Sequence, residues 1–281
     1  MRNVFLCTVL FTAFVAPIAA QTPEPQRVTV PLSDPGRPGS LQVDIVMGSI
    51  TVKGTNRKDM LIEARGNPVV GPPRRRRSPD EPPPPGLRRL TQNTPFSVEE
   101  DRNEVSVDVE SPTRSIDFVI EVPLRTNLEV ETVMGSVTVE GVEGELEIES
   151  VNGEVTLTNV GGSVVAHTVN GKLLATIARA MPQQPMAFTS LNGSVDVTLP
   201  ANVKANLKLR SDQGDVYTDF DLQQAVDTDR NRGQRDNGRQ RDDPGRRRVE
   251  VDNAIYGSIN GGGPDFEMRT FNGNVYVRKG K

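Results

Sequence analysis

The 281-residue sequence contains one cysteine, one histidine and no tryptophan, and aromatic residues make up only 4% of it. The cysteine, Cys7, lies in a short apolar run, Val4–Val15, preceded by Arg2 and followed by Ala19–Ala20 and the polar stretch QTPEPQ. A positive start, a short apolar run and small residues read as an export signal over residues 1–20, cut near Ala20. No lipobox surrounds Cys7, so no lipid anchor is expected. The run is too short to cross a bilayer as a helix, and no other apolar stretch reaches the ~18 residues that crossing needs. A chain that has lost Cys7 has no disulfides, no thiol nucleophile and no thiolate metal site. With His167 as the single imidazole, Ser-His-Asp, Cys-His and multi-histidine zinc sites all lack parts. The expected location is the periplasm or the cell surface.

What the sequence does have is a repeated eight-residue phrase. It reads LQVDIVMG at Leu41–Gly48, LEVETVMG at Leu128–Gly135, LEIESVNG at Leu146–Gly153 and VVAHTVNG at Val164–Gly171. Looser copies are MAFTSLNG at Met186–Gly193, LKLRSDQG at Leu207–Gly214 and FEMRTFNG at Phe266–Gly273. Apolar residues occupy the first, third and sixth places, broken at the sixth only by Asp212. Between Thr126 and Arg179 the glycines Gly135, Gly144, Gly153, Gly162 and Gly171 fall nine residues apart. Apolar and polar residues alternate within each phrase, which is the pattern of a strand with one buried face. The Asn-Gly pairs after it predict tight turns in which asparagine accepts positive φ, with a ladder of asparagine side chains. Likeness is stronger at eighteen residues than at nine, because alternate turns differ (TVMG, SVNG and TVNG against GVEG and NVGG). A coil of two strands or a row of hairpins would each give this, and the coil is favoured because it supplies both layers of the core from the same residues. The predicted fold is all-β: a β-solenoid of short strands, about nine residues per strand and turn and about eighteen per coil. Val133, Val151 and Val169 are expected to stack in one buried row.

The stretch VPLRTNLEVETVMGSVTVEGVEGELEIESVNGEVTLTNVGGSV (Val122–Val164), with LQVDIVMGSITVKG (Leu41–Gly54) and LNGSVDVTLP (Leu191–Pro200), resembles a bacterial family of adhesin-like domains of unknown function built from β-strand repeats. The resemblance implies a β-solenoid architecture and an adhesin-like role. It implies no catalytic residues.

Two segments interrupt the rhythm. Residues 68–95 are rich in proline and arginine, with four successive arginines at Arg74, Arg75, Arg76 and Arg77. Residues 224–248 are rich in Arg, Asp, Asn and Gly, ending in Arg246, Arg247 and Arg248. Neither composition can bury enough apolar surface to order itself, so both are read as flexible insertions. The expected organisation is an N-terminal β region with the first repeat over 21–67, a solenoid body over 96–223, and C-terminal repeats over 249–281. Strand phrases resume after each insertion, so the insertions are expected to leave and rejoin at turns without altering the stacking. Residues 71–90 carry six arginines against Asp80 and Glu81, and residues 224–250 carry eight arginines against six acids, leaving a net charge of −11 on the rest of the chain after residue 20.

The candidate sites follow from that charge division. Glu129 and Glu147, and Glu131, Glu149 and His167, are predicted to stand side by side on outward places of adjacent strands, ~4.8 Å apart. That spacing approaches the carboxylate separation of a retaining glycosidase, but an open sheet face excludes no water. Asp227, Asp229 and Asn231 begin like a calcium loop that fails at Arg232 and Gly238. No metal or other cofactor is expected. Arg74, Arg75, Arg76 and Arg77, with Arg246, Arg247 and Arg248, are candidate contacts for an anionic envelope polymer, a glycan or another envelope protein. Nucleic acid is not expected, since the chain reads as exported and no aromatics interleave the arginines. These observations predict an exported, non-enzymatic, adhesin-like binding or structural module of the cell envelope. The alternative is a polysaccharide lyase or hydrolase working on the acidic face, which a groove of convergent carboxylates would favour and a smooth laddered surface would disfavour.

Overall fold

The computed structural model describes residues 25–66, 96–109, 115–180, 184–224 and 254–280. These residues form strands and turns, with no helix among them. Strands β1 (Gln26–Pro31), β2 (Gly39–Met47), β3 (Ile50–Thr55) and β4 (Asp59–Gly66) come first, followed by β5 (Phe96–Asp101), β6 (Glu104–Val109) and β7 (Ile116–Pro123). The regular repeats supply β8 (Thr126–Met134), β9 (Val137–Glu140), β10 (Glu143–Asn152), β11 (Val155–Asn170), β12 (Leu173–Ala180), β13 (Met186–Asn192) and β14 (Val195–Leu199). Strands β15 (Ala205–Gln213), β16 (Val216–Thr218), β17 (Gln223–Gln224), β18 (Ile255–Ile259), β19 (Asp265–Asn272) and β20 (Val275–Lys279) complete the chain.

The strands form two layers joined in one hydrogen-bonded network. Sheet one runs β5-β6-β2-β8-β10-β11-β13-β19-β15-β18-β17. Sheet two runs β1-β4-β7-β3-β9-β11-β12-β14-β20-β16. Strand β11 belongs to both, turning the corner near Asn159 (φ 54°) and Gly162 (φ 107°). Each phrase supplies a strand of sheet one, and the residues after its glycine supply a strand of sheet two. The chain is thus an all-β, solenoid-like stack, as the repeat predicts. Leu128, Val130, Val137 and Val139 of one coil, and Leu146, Ile148, Val155 and Leu157 of the next, are buried in a single core shared by both sheets. Each such side chain, fully buried, contributes roughly 1.5–3 kcal/mol.

The order of coils differs from their order in the chain. The coil β2–β3 lies between β6–β7 and β8–β9, although β6–β7 follows it in sequence. At the other end the last coil, β19–β20, is inserted between β13–β14 and β15–β16. Stacking is therefore altered where the chain returns from each long insertion, contrary to the sequence expectation. Parallel pairing gives no preference among coils of the same pattern, so the returning chain can dock beside any open edge. The end coils are finished by antiparallel strands: β5 on β6, β4 on β7, and β18 on β15. Antiparallel partners cover edges that would otherwise offer free N–H and C=O groups to another chain.

Two further expectations are corrected. Val133 and Val151 are not buried but 41% and 39% exposed, and Val169 is half-buried. Strand alternation carries the inward face to the fifth place, occupied by Thr132, Ser150, Thr168, Ser190 and Thr270, all buried. In the later coils this hydroxyl donates to the carbonyl of the stacked glycine: Thr168 Oγ1 to Gly153 O at 3.1 Å, Ser190 Oγ to Gly171 O at 3.0 Å, and Thr270 Oγ1 to Gly193 O at 2.7 Å. The asparagines of the Asn-Gly pairs are not among the residues with positive φ. They end extended strands, and the turn is made by the glycine.

That glycine is required by close approach in every phrase, and by a positive φ as well at Gly48 (133°), Gly135 (150°) and Gly273 (148°). A Cβ on Gly153 would fall on the carbonyl of Gly135, and one on Gly171 on the carbonyl of Gly153. The same column continues through Gly193, Gly273 and Gly214. Its amides pair between coils, Gly153 N with Asn170 O at 3.1 Å and Gly171 N with Asn192 O at 3.1 Å.

Candidate functional site

The outward places of sheet one form rows that run across the strands from coil to coil. The fourth place of the phrase aligns Asp44, Glu131, Glu149, His167, Thr189 and Arg269. Glu131, Glu149 and His167 are thus brought together as the sequence predicts, on β8, β10 and β11, with both glutamates exposed and His167 half-buried. The second place aligns Gln42, Glu129, Glu147, Val165, Ala187 and Glu267.

The face is therefore divided along its length. On β2, β8 and β10 the outward charges are Asp44, Glu129, Glu131, Glu147 and Glu149, with Glu145 at the strand start. None of these six forms an ion pair among the described residues, and Gln42 Nε2 only approaches Glu129 Oε1 at 3.5 Å. Partial desolvation among its neighbours, reinforced by the charges of Glu149, Asp44, Glu129 and Glu147, pushes the Glu131 carboxyl above the ordinary carboxylate range. Toward the other end the basic residues are already engaged. Lys208 Nζ lies 3.1 Å from Glu267, Arg210 lies 2.7 Å from Asp212, and Arg269 lies 3.6 Å from Asp212.

Beside the carboxylate row runs a row that the sequence reading assigned to the core. The sixth place exposes Val46, Val133, Val151, Leu191 and Phe271, each close to 40% accessible, with Val169 half-buried among them. Its far border, at the seventh place, is Met47 and Met134 on β2 and β8 and an amide ladder from β10 onward. Asn170 Nδ2 donates to Asn152 Oδ1 (2.9 Å), Asn192 to Asn170 (2.8 Å), and Asn272 to Asn192 (2.7 Å). The asparagine ladder is as predicted, but the apolar row it borders was missed. Its signal was legible: the fifth place reads Ile, Thr, Ser, Thr, Ser, Ser, Thr through the seven phrases, a constancy that strict alternation assigns to the inside.

The arginine candidates Arg74, Arg75, Arg76 and Arg77 lie outside the described residues, and so do Arg246, Arg247 and Arg248. The leader and the calcium-like stretch lie outside them as well. The strands that flank the first arginine segment, β4 and β5, both pair with the end coil β6–β7. Of those flanking the second, β18 pairs with β15 in the opposite end coil and β17 pairs with β18. Among the described residues no group of three or more His, Cys, Asp or Glu side chains could hold a metal ion. No helix among them is long and apolar enough to cross a membrane. The Glu131–Glu149 pair stands on an outward, open face, separated from the laddered amides by the sixth-place row.

The family model described as Toastrack DUF4097 matches residues 41–260, most of the chain. The chain belongs to the Toastrack DUF4097 family. That match takes in the acidic coils, the inserted first coil and both arginine segments. Two solved structures are similar in fold. One is a putative cell adhesion protein from Clostridium sporogenes, 11% identical, with a TM-score of 0.47, covering 92% of this chain and 100% of that one. The other is a putative adhesin from Bacteroides fragilis, 10% identical, with a TM-score of 0.39, covering 91% of this chain and 97% of that one. The comparison with curated proteins gave no match. The coil order of this chain places the exposed rows on one continuous face, from β2 to β19.

Proposed function

We propose that the protein is an exported, non-enzymatic, adhesin-like binding module of the cell envelope, and that it binds through the outer face of sheet one. The observation that carries this reading is the exposed apolar row, bordered by carboxylates over β2, β8 and β10 and by an amide ladder from β10 to β19. Contiguous apolar exposure on a folded surface marks a contact site. Rows of like side chains recurring every ~4.8 Å suit a long partner that makes the same contact several times. A laddered, open face also favours a binding module over the polysaccharide-acting alternative, because a glycosidase pair works on a sugar held between its two carboxyls and shielded from bulk water.

The arginine segments at 71–90 and 224–248, with Arg74, Arg75, Arg76 and Arg77 in the first, give the module a second kind of partner. That partner is an anionic envelope polymer or glycan, held by salt-sensitive contacts. The experiment is capture of solubilised envelope fractions by three full-length proteins. These are the unaltered chain, Val151→Lys, and a form with both arginine segments replaced by short Gly/Ser links. Loss of capture with Val151→Lys alone supports the sheet face. Loss with the linker form alone transfers binding to the arginine segments, and retention by both overturns the binding reading.

A further inference from the structure

We infer that the sheet-one face takes a cationic amphipathic helix of a partner polypeptide, its apolar side on the sixth-place row and its Lys or Arg side chains on the carboxylates. This rests on the proposed binding role of that face and names the class of partner.

The length of the row sets the size of the partner. From Val46 to Phe271 the row crosses β2, β8, β10, β11, β13 and β19. Five strand spacings of about 4.8 Å make it about 24 Å long. A helix rising 1.5 Å per residue spans that in about 16 residues, and its pitch of about 5.4 Å brings roughly one apolar side chain to each coil. A helix also satisfies its own backbone, as it must here, since the outer face of a paired sheet has no free ladder groups to offer.

The charge sets its sign. Asp44, Glu131 and Glu149 lie one outward place from Val46, Val133 and Val151, with Glu129 and Glu147 one place further. Their charges have no cationic partner among the described residues. An amphipathic helix carrying Lys or Arg along the edge of its apolar face would supply several. The same arrangement argues against the other occupants. An anionic lipid surface would meet the carboxylates with like charge. A second copy turned to place acid on base would find Arg210 and Arg269 already engaged with Asp212.

The test uses the full chain and a fluorescent Leu/Lys helical peptide of about 16 residues. Controls are a Leu/Glu peptide and a Leu/Lys peptide of the same composition with its amphipathic order scrambled. Anisotropy is expected to show saturable binding of the first peptide, weakened by salt, and no binding of either control. The double variants Val133→Ser/Val151→Ser and Glu131→Gln/Glu149→Gln should each weaken binding by about tenfold or more. Thr156→Lys, on the outer face of sheet two, should leave it unchanged. All of these sites are solvent-facing, and circular dichroism and denaturation midpoints verify that the variants fold.

Equal binding of the scrambled peptide, or indifference to both double variants, overturns the inference. So does binding to anionic vesicles that the double valine variant abolishes, or a concentration-dependent dimer that it dissolves. If the peptide fails while envelope capture still depends on Val151, the helix partner is wrong and the binding face stands. If capture too ignores Val151, the proposed function falls with it.

Discussion

The two outer faces of the stack are exposed by the same strand alternation, yet they present different surfaces. Sheet one is built from long strands such as β8 and β10, of nine and ten residues, while β9 has four and β14 and β20 have five each. A long strand exposes three or four side chains where a short one exposes two. The wide face holds carboxylate, apolar and amide rows together. The narrow face carries Thr51, Thr138 and Thr156 in one line and Thr158, Thr176 and Thr198 near the next, with few charges in its middle coils. At its far end it changes again, where Tyr217 stacks on Tyr276 at 5.2 Å and Arg278 lies over the Tyr276 ring while bonding Asp196. Threonine on a solvated strand satisfies strand geometry and solubility. The wide face does more than that, since its exposed valines, leucine and phenylalanine add nothing to solubility.

The sharpest way to break this comparison is to interchange inside and outside on one strand. Ile148→Asp places an unpaired charge in the core and should cost more than about 4 kcal/mol. Val151→Asp, three residues on, should cost less than about 1 kcal/mol. Urea denaturation of the two variants measures the difference, and equal midpoints would return the sixth place to the core.

The corner that joins the faces comes next. Gly171→Ala forces its Cβ against the Gly153 carbonyl, so neighbouring coils must part, and a loss of about 2–4 kcal/mol is expected. Asn170→Ala, at the adjacent ladder position, removes two exposed side-chain hydrogen bonds and should cost about 1 kcal/mol or less. Thermal melts of this pair show whether the corner is held by backbone approach or by the amides.

The smallest expected effect concerns pH. Partial desolvation and neighbouring carboxylates raise the Glu131 pKa in the folded protein. The folded state then binds its proton more readily than the unfolded state, so stability from this group grows as pH falls through the raised pKa and is lost as pH rises above it. Glu131→Gln should therefore be slightly more stable than the unaltered protein at neutral pH, with the gap closing in mildly acidic buffer. Midpoints compared at the two pH values test the sign, and a gap that widens on acidification would contradict the crowding of the carboxylate row. An equivalent change on the narrow face, Thr138→Val, should show no pH dependence.

Much of this architecture was legible before any fold was known. Alternation in LEVET and LEIES fixes the strands, the recurrence at eighteen residues fixes the coil, and the register Glu131, Glu149, His167 follows from it directly. The sixth-place valines point the wrong way because apolar character does not require burial. The constant fifth-place hydroxyl carried the correct phase, and polar residues are seldom read as interior although a carbonyl partner makes them so. Asn-Gly was read as a positive-φ pair because that is its use in hairpins. In a stacked coil the glycine meets a backbone instead, and the asparagine stays extended to ladder with its neighbours.

What the sequence determined by itself is whatever is local and periodic: the strands, the turns, the buried first and third places, and the outward carboxylates. Those depend on residues a few positions apart, within one strand and turn. Only the tertiary structure decided which coil lies beside which, so that β2–β3 and β19–β20 are inserted as inner coils and the end coils are closed by antiparallel strands. Parallel hydrogen bonding is indifferent to sequence, and every phrase offers the same apolar places to its neighbour, so the repeat that made the strands easy to read concealed their order. The apolar row of the wide face is a product of both, encoded at the sixth place of six phrases and extended to Phe271 only when the last coil enters the stack beside β13.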